Sequence, residues 1–547
     1  MIKINSLNFK NLKKITKKID FTKIMLAFII LTGLWLRLKN IDNMVWEQSG
    51  YDEHRDMLVA EHILNNKEHV IRGPLAAGGF NWLKNSPIYF YLVTALWSVT
   101  RTPPLFLKLW AVLLGLMPLL AYKISTSLKN KKLGLITAAL FAFNGELIYE
   151  SRQLLQPFLL PVFSLLFVWM LIKFKIKKHY SYLSWAIAFL LLPLHFHYGI
   201  FLTLPIGLFL IIYYWAELIS EDFSWKNVLL PGFTMIVFGL LWIFLTYRTH
   251  LFDQFFFFVL NFSDHNKDFL TQTNNILQAT ITMIWRGQNS NKTLLITMFL
   301  TFIAFIKTKN NKKNWFKTSP VFLLSLSVLF MPISNGFVAD TYLLALLPFF
   351  LIILAIGIYE LFSINHLLGF LFLCIVLFQQ YLYSLKEVTY YIPKESFYEQ
   401  NFKISQVIFT DYFSSNKVNK EPNFALALLT TSGTLPFDGW GTSGFWFNLE
   451  KLTNKKLVKN TDYGVNSKPL VKNADIIYLI CDHRTKKKLV KTEGLDRFID
   501  ARDYLDPNYQ KIFSSDTYTV WKFKIDGDKE KPRSSHLYNH VYKELMN

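Results

Sequence analysis

Cysteine is almost absent. Only Cys374 and Cys481 occur in the chain. The first lies in an apolar stretch and the second in a polar region, so neither a disulfide framework nor a redox or metal-ligand spacing is present. Several catalytic signatures are missing as well. There is no H-E-x-x-H, no G-x-S-x-G and no Walker motif, which removes support for zinc proteases, serine hydrolases and ATP-driven pumps. Negative charge is scarce, with 38 Asp and Glu against 59 Lys and Arg and a net charge of +21. That excess does not read as a nucleic-acid footprint. The lysines gather in short connectors between apolar stretches, where positive charge orients a chain against a membrane.

What the chain has in abundance is apolar surface: 52% of residues are hydrophobic and 17% aromatic, high for a soluble protein. About eleven stretches approach the roughly twenty residues needed to cross a bilayer. They fall at 24–38, 105–122, 133–148, 155–174, 182–197, 200–215, 228–247, 294–306, 320–333, 342–361 and 367–385. The basic segment 10–23 precedes the first of them with no small-residue cleavage pattern, so a retained first helix is expected. The segment 88–99 is apolar but short. If it lies along the interface, the N-terminal lysines and the connectors 123–132, 173–178, 217–227 and 307–317 all share one side, and four of these five are strongly basic. If it spans, they split. The interfacial reading places the N-terminus in the cytoplasm. Residues 40–103, 144–154, 195–199, 248–293 and 334–341 then lie outside, together with the polar C-terminal region.

The fold class expected is a polytopic α-helical membrane protein with interfacial helices in its first outer loop, followed by a small extracytoplasmic α/β domain. Residues 1–385 form the membrane domain, with a second long outer loop at 248–293, and residues 386–547 form the polar one. In the latter, 424–429 and 476–481 read as buried strands and 518–525 alternates like another.

Candidate functional residues concentrate on the outer side. Asp52 stands at the start of an amphipathic stretch, 53–64. It caps that helix, or it is a general base kept ionised by the helix N-terminus. Glu53 can orient a hydroxyl or the base. His54 and Arg55 either pair these acids or line a cavity. Lys84 either snorkels at headgroup level or contacts a phosphate. Arg152, at the outer end of a span, faces a cavity. Arg286 is a further cation suited to bidentate phosphate contacts. His195 and His197, in His-Phe-His-Tyr, line a cavity or ligate a metal, though the pattern supplies no third ligand.

Asp52-Glu53-His54-Arg55 with Glu61, after one membrane helix, resembles the D-E-x-R segment of bacterial lipid A aminoarabinose transferases. These belong with the protein O-mannosyltransferases among the GT-C integral membrane glycosyltransferases. Lys84 with Pro87, Ser151-Arg152 with Gln156-Pro157, and Tyr342-Leu343-Leu344 with Pro348 are similar to the family's later elements, in order, across residues 20–365. The resemblance implies a cell-envelope enzyme. It moves a hexosyl or pentosyl unit, with inversion, from a polyprenyl-phosphate carrier to a hydroxyl of a lipid, protein or surface-polymer acceptor. It implies that Asp52 is the base, that Glu53 assists, and that Lys84, Arg152 and Arg286 neutralise the carrier phosphate. Arg55, His197 and Tyr342 would border the substrate cavity. Three departures matter. Leu83 stands where the aminoarabinose enzymes carry an acidic metal ligand, so no metal site is carried over, although a divalent ion stays compatible with the class. Gln156 replaces an aspartate, and Thr341 replaces an arginine. A transporter or flippase for a lipid-linked saccharide is the alternative from another class. It fits less well because the ionisable groups gather at one face and no internal repeat is present.

Overall fold

The structure is a computed structural model. It describes residues 20–44, 52–67, 69–70, 86–221, 223–247, 278–285, 291–328, 343–390, 397–415, 424–430, 433–435, 443–454, 457, 476–482, 510–515 and 518–524. Six helical segments among them are long and apolar enough to cross a membrane: Phe21–Asn43, Pro103–Leu128, Gln156–Lys177, Leu204–Glu221, Leu347–Ile364 and His366–Leu385. A seventh is possible if the bent pair Lys131–Phe143 and Gly145–Ser151 is one crossing. The chain is therefore a multi-pass helical membrane protein. The other expected spans correspond to shorter or more polar helices, such as Tyr180–Leu191, Asn291–Lys309 and Lys312–Ser325.

Sequence chemistry accounts for the helix ends. Pro103 and Pro104 open Pro103–Leu114, where a missing N–H costs nothing. Asn130 accepts from the Leu133 N–H at 3.0 Å and so caps the helix that follows. On the first span Ile24, Phe28, Leu31 and Trp35 recur at helical spacing and are all exposed, while Ile29, Leu36 and Arg37 are buried. One stripe thus faces outward and the other packs inward.

The segment expected along the interface is the helix Ile88–Thr100. Its 13 residues reach about 20 Å, short of the roughly 30 Å hydrocarbon thickness. It packs against Asp52–Asn66, a helix slightly longer than the 53–64 expected. Trp97 donates its indole N–H to Glu61 Oε2 at 2.5 Å across this pair.

Two expectations change. The stretch 133–148 is not one continuous helix, and 144–154 is not simply a loop. Lys131–Phe143 ends at Asn144, and Gly145–Ser151 leaves at 55° to it. In the polar region the three expected strands occur as β1 (Phe424–Thr430), β3 (Ile476–Asp482) and β5 (Tyr518–Lys524), joined by β2 (Gly433–Leu435) and β4 (Gln510–Ser514). The sheet order is β2-β1-β3-β5-β4, with β1 parallel to β3 and the remaining pairs antiparallel. Helices Phe397–Ser415 and Ser443–Thr453 accompany it. Asp411 ties the first of these to the sheet, accepting from Tyr478 Oη at 2.6 Å and Lys522 Nζ at 2.5 Å.

The end of the bundle away from Asp52–Asn66 is closed by ion pairs. Lys129 meets Glu360 at 2.5 Å, and Lys178 meets Glu217 and Glu221. Helices Asn291–Lys309 and Leu347–Ile364 cross at Gly357, where an added Cβ would collide with the Leu300 carbonyl oxygen and stand 2.9 Å from its carbon. Gly357→Ala is therefore expected to destabilise the chain by about 1–3 kcal/mol, the usual cost of forcing extra volume into a packed contact. Gly239→Ala meets open space and should cost nothing. Equal apparent melting temperatures for the two variants in detergent would refute this packing.

Candidate active site

The candidate site is built where Asp52–Asn66 meets the segment after the bent helix. Glu53 is buried, and its Oε1 accepts the Leu154 N–H at 2.7 Å. A carboxylate taking a buried backbone N–H is a strong, charge-assisted bond that fixes both partners. Arg152 follows the short helix as its C-cap, and its Nη2 donates to the Lys39 carbonyl at 3.1 Å. Lys39 is the C-cap of helix Phe21–Leu38, so the cation lies at the negative end of a helix dipole. Residues 39, 53, 152 and 154, drawn from three regions of the chain, thus come together.

Within Asp52–Asn66, Arg55 is buried and donates Nε and Nη2 to Asp56 Oδ1 at 2.9 and 2.7 Å. His54 is fully buried, and burial pulls its imidazole down to about 3, so it is neutral at physiological pH. Gly444 rests on the His54 ring: a Cβ there would stand 2.8 Å from Nδ1. At the other end of the helix, His62 Nε2 meets Glu450 Oε2 at 2.5 Å, and Glu450 Oε1 accepts the Leu457 N–H at 2.8 Å. Lys451 donates to the Arg101 carbonyl at 3.2 Å and lies over the Phe447 and Trp97 rings. Helix Ser443–Thr453 of the polar region therefore covers both Asp52–Asn66 and Ile88–Thr100.

The other expected residues divide into two groups. His197 is buried, and its Nδ1 accepts the Gly199 N–H at 3.0 Å. His195 is fully buried beside it in sequence. The carboxylate of Asp52 and all of Lys84, Arg286 and Tyr342 lie outside the described residues. Asp52 itself is the first residue of its helix. No group of three His, Cys, Asp or Glu able to hold a metal ion converges among the described residues.

The sequence reading missed His62, Glu450 and the residues that hold the helix break: Arg37, Asn144, Gln380 and Ser384. A charge inside the first apolar stretch and an Asn-Gly pair inside the third were available signals. Nothing in the sequence paired His62 with a residue nearly four hundred positions away.

Compared by sequence, the chain matches no family model and no curated protein. Its fold does have solved counterparts. ArnT from Cupriavidus metallidurans bound to undecaprenyl phosphate superposes with a TM-score of 0.52 at 12% identity, over 93% of this chain and 99% of that one. The Archaeoglobus fulgidus oligosaccharyltransferase AglB, in complex with an inhibitory peptide and a dolichol-phosphate, gives 0.51 at 12% identity, over 96% and 77%. The apo form of the A. fulgidus enzyme gives 0.51 at 11%, over 86% and 71%. The fold resembles that of these GT-C membrane glycosyltransferases, as the D-E-x-R resemblance implied.

The neutral His54 sets a pH dependence. Unfolded, the imidazole takes a proton near 6.5; folded, it resists until about 3. The unfolded state then binds more protons throughout this window, so stability falls as pH drops from 6.5 toward 3, by up to about 1.4 kcal/mol per pH unit. In His54→Gln this component should vanish. Melting temperatures that fall equally in wild type and variant across that range would show that His54 does not titrate with folding.

Proposed function

We propose that the chain transfers a sugar from a polyprenyl-phosphate carrier to an acceptor hydroxyl on the extracytoplasmic face of the membrane. The observation that carries this reading is the bond from Leu154 to Glu53. It brings the segment bearing Arg152 to the helix that begins at Asp52, within a fold like those of ArnT and AglB. In this reading the N-terminus is cytoplasmic and the α/β domain extracytoplasmic, which puts the basic connectors inside.

The reaction follows from these parts. Asp52, at a helix N-terminus that favours its ionised form, takes the acceptor hydroxyl's proton. The acceptor oxygen bonds to the sugar's anomeric carbon from the face opposite the phosphate, and the bond from that carbon to the phosphate oxygen breaks. Configuration is inverted, and the carrier leaves as polyprenyl phosphate. Glu53 holds the base's helix against Leu154 and helps orient the acceptor. Arg152 is buried two residues before Leu154, and its guanidinium carries a fixed positive charge. With Lys84 and Arg286 it neutralises the departing phosphate, where charge stabilisation matters more than protonation. Arg55, His197 and Tyr342 border the cavity. A hexosyl or pentosyl donor and a lipid, protein or surface-polymer acceptor are the classes that fit.

One observation favours a transporter of lipid-linked saccharides: the broken helix at Asn144, since interrupted helices mark many transporter sites. In transporters, however, the exposed backbone groups serve the cargo, whereas here protein side chains occupy them.

Purified protein incubated with a panel of radiolabelled polyprenyl-phosphate sugars should release water-soluble sugar slowly without acceptor. Asp52→Asn should lower turnover by about 10²–10⁴-fold with carrier-lipid affinity retained. Replacing Lys84, Arg152 and Arg286 by Ala should instead weaken carrier affinity. Wild-type turnover in Asp52→Asn removes it as the base, and unchanged lipid affinity across the three alanine variants removes the phosphate assignments.

A further inference from the structure

We infer that Arg37 is a positioning residue for the reaction proposed above: from inside the first span it holds open the helix break at Phe143–Asn144, and so determines where Arg152 and Leu154 meet Glu53. The inference rests on the sugar-transfer reading for its consequence, and on the geometry of the break for its cause.

In an unbroken helix Gly145 N–H would donate to the Phe141 carbonyl and Leu147 N–H to the Phe143 carbonyl. Neither bond is made. Gly145 N–H goes to Gln380 Oε1 at 3.0 Å, and Leu147 N–H to Asn144 Oδ1 at 3.0 Å. The released carbonyls are taken in turn. Arg37 donates Nη2 to Phe141 at 3.2 Å and Nη1 to Ala142 at 3.0 Å, while Ser384 Oγ donates to Phe143 at 3.1 Å. Gln380 also donates to the Ile284 carbonyl at 2.5 Å, as Asn144 does at 3.1 Å. The Gly145 and Leu147 N–H groups and the carbonyls of residues 141–143 are thus re-paired with side chains.

Arg37 is fully buried, and besides Phe141 and Ala142 it donates to the Gly33 carbonyl at 2.9 Å. A charge within a membrane span is expensive, and the negative end of helix Lys131–Phe143 is what offsets it. The packing is shaped around this contact. A Cβ on Gly33 would stand 3.0 Å from Ala142 Cβ, and one on Gly115 would stand 3.2 Å from Arg37 Cδ. Small residues let the helices approach until the guanidinium reaches the carbonyls. Arg37 therefore competes for the same acceptors that would straighten the helix. Without it Gly145 can return to Phe141, the 55° bend relaxes, and the segment 152–154 moves off Glu53.

Arg152 completes the exchange by donating to Lys39, the C-cap of helix Phe21–Leu38, which carries Arg37. Each of the two helices thus receives an arginine from the other's strand of chain at its C-terminal end.

The test uses the full chain in lipid nanodiscs, with Arg37→Met, Arg37→Lys and Gly33→Ala. Hydrogen exchange reads the geometry, and steady-state donor hydrolysis reads the consequence. Arg37→Met should lose the protection of the Leu154 amide while helix Phe397–Ser415 exchanges as in wild type. Its kcat should fall by about 10²-fold, as a displacement of roughly 1 Å can cause, with little change in KM. Arg37→Lys should restore part of both. Gly33→Ala, which keeps Arg37 but wedges the helices apart, should shift both in the same direction and serves if Arg37→Met does not fold. Wild-type protection at Leu154 in Arg37→Met and Gly33→Ala overturns the inference, as does an unchanged kcat alongside lost protection. Exchange is read without turnover. A chain inactive on every donor would therefore remove the sugar-transfer reading, while the effect of Arg37 on the break would still be decided by the Leu154 amide.

Discussion

Backbone groups released inside a packed helical bundle have no water to turn to, and the rest of the site depends on how the chain satisfies them at Asn144. A helix that continued past Phe143 would carry residues 145–151 straight on. Instead Asn144 caps a new helix, Gln380 takes the first free N–H, and Arg37 and Ser384 take the carbonyls. The new helix delivers Arg152 to Lys39 and Leu154 to Glu53, which closes the arrangement. A backbone constraint thus becomes a placement of side chains.

The two faces of the bundle are built from different chemistry. One is closed by lysine–glutamate pairs between helix ends, at Lys129–Glu360 and Lys178–Glu217. The other gathers buried acids, arginines and histidines beneath a folded domain. Helix Ser443–Thr453 reaches that domain's neighbours at both ends of Asp52–Asn66, through Gly444 on His54 and Glu450 on His62. The helix that begins with the proposed base is thereby held from two directions, by Leu154 near its start and by the polar domain along its length. Preorganisation of this kind makes a charged site effective, because little rearrangement is needed at the moment of reaction.

Much of the fold was legible in the sequence. Apolar runs and lysine-rich connectors marked the helices and the break in character near residue 385. The helix at 88–99 was legible as a short apolar run, and its placement along the interface rests on the charge of the connectors. The strands at 424, 476 and 518 were visible as apolar or alternating runs, whereas β2 has three residues and β4 (Gln-Lys-Ile-Phe-Ser) is mostly polar, so neither carries a strand pattern. The bend at Asn144 was missed because a single Asn-Gly pair barely disturbs an apolar stretch of this length. Arg37 showed as a charge in an apolar stretch, but what it and Gln380 hold was not legible. Their partners are mostly backbone carbonyls and amides, which leave no trace in side-chain patterns. His62–Glu450 was invisible because it joins positions that only the tertiary fold brings together.

The D-E-x-R segment was the most informative local motif, and its neighbourhood now has geometry: Glu53 on Leu154, Arg55 on Asp56, Glu61 on Trp97. The central claim is that this face is the extracytoplasmic one. The most direct test is membrane-impermeant thiol labelling of intact cells, in a chain lacking Cys374 and Cys481, with single cysteines at the exposed positions Lys67 and Lys132. Labelling of Lys67→Cys in intact cells, and of Lys132→Cys only after permeabilisation, is the expected result. Labelling of Lys67→Cys only after permeabilisation would place the whole site in the cytoplasm and contradict the account.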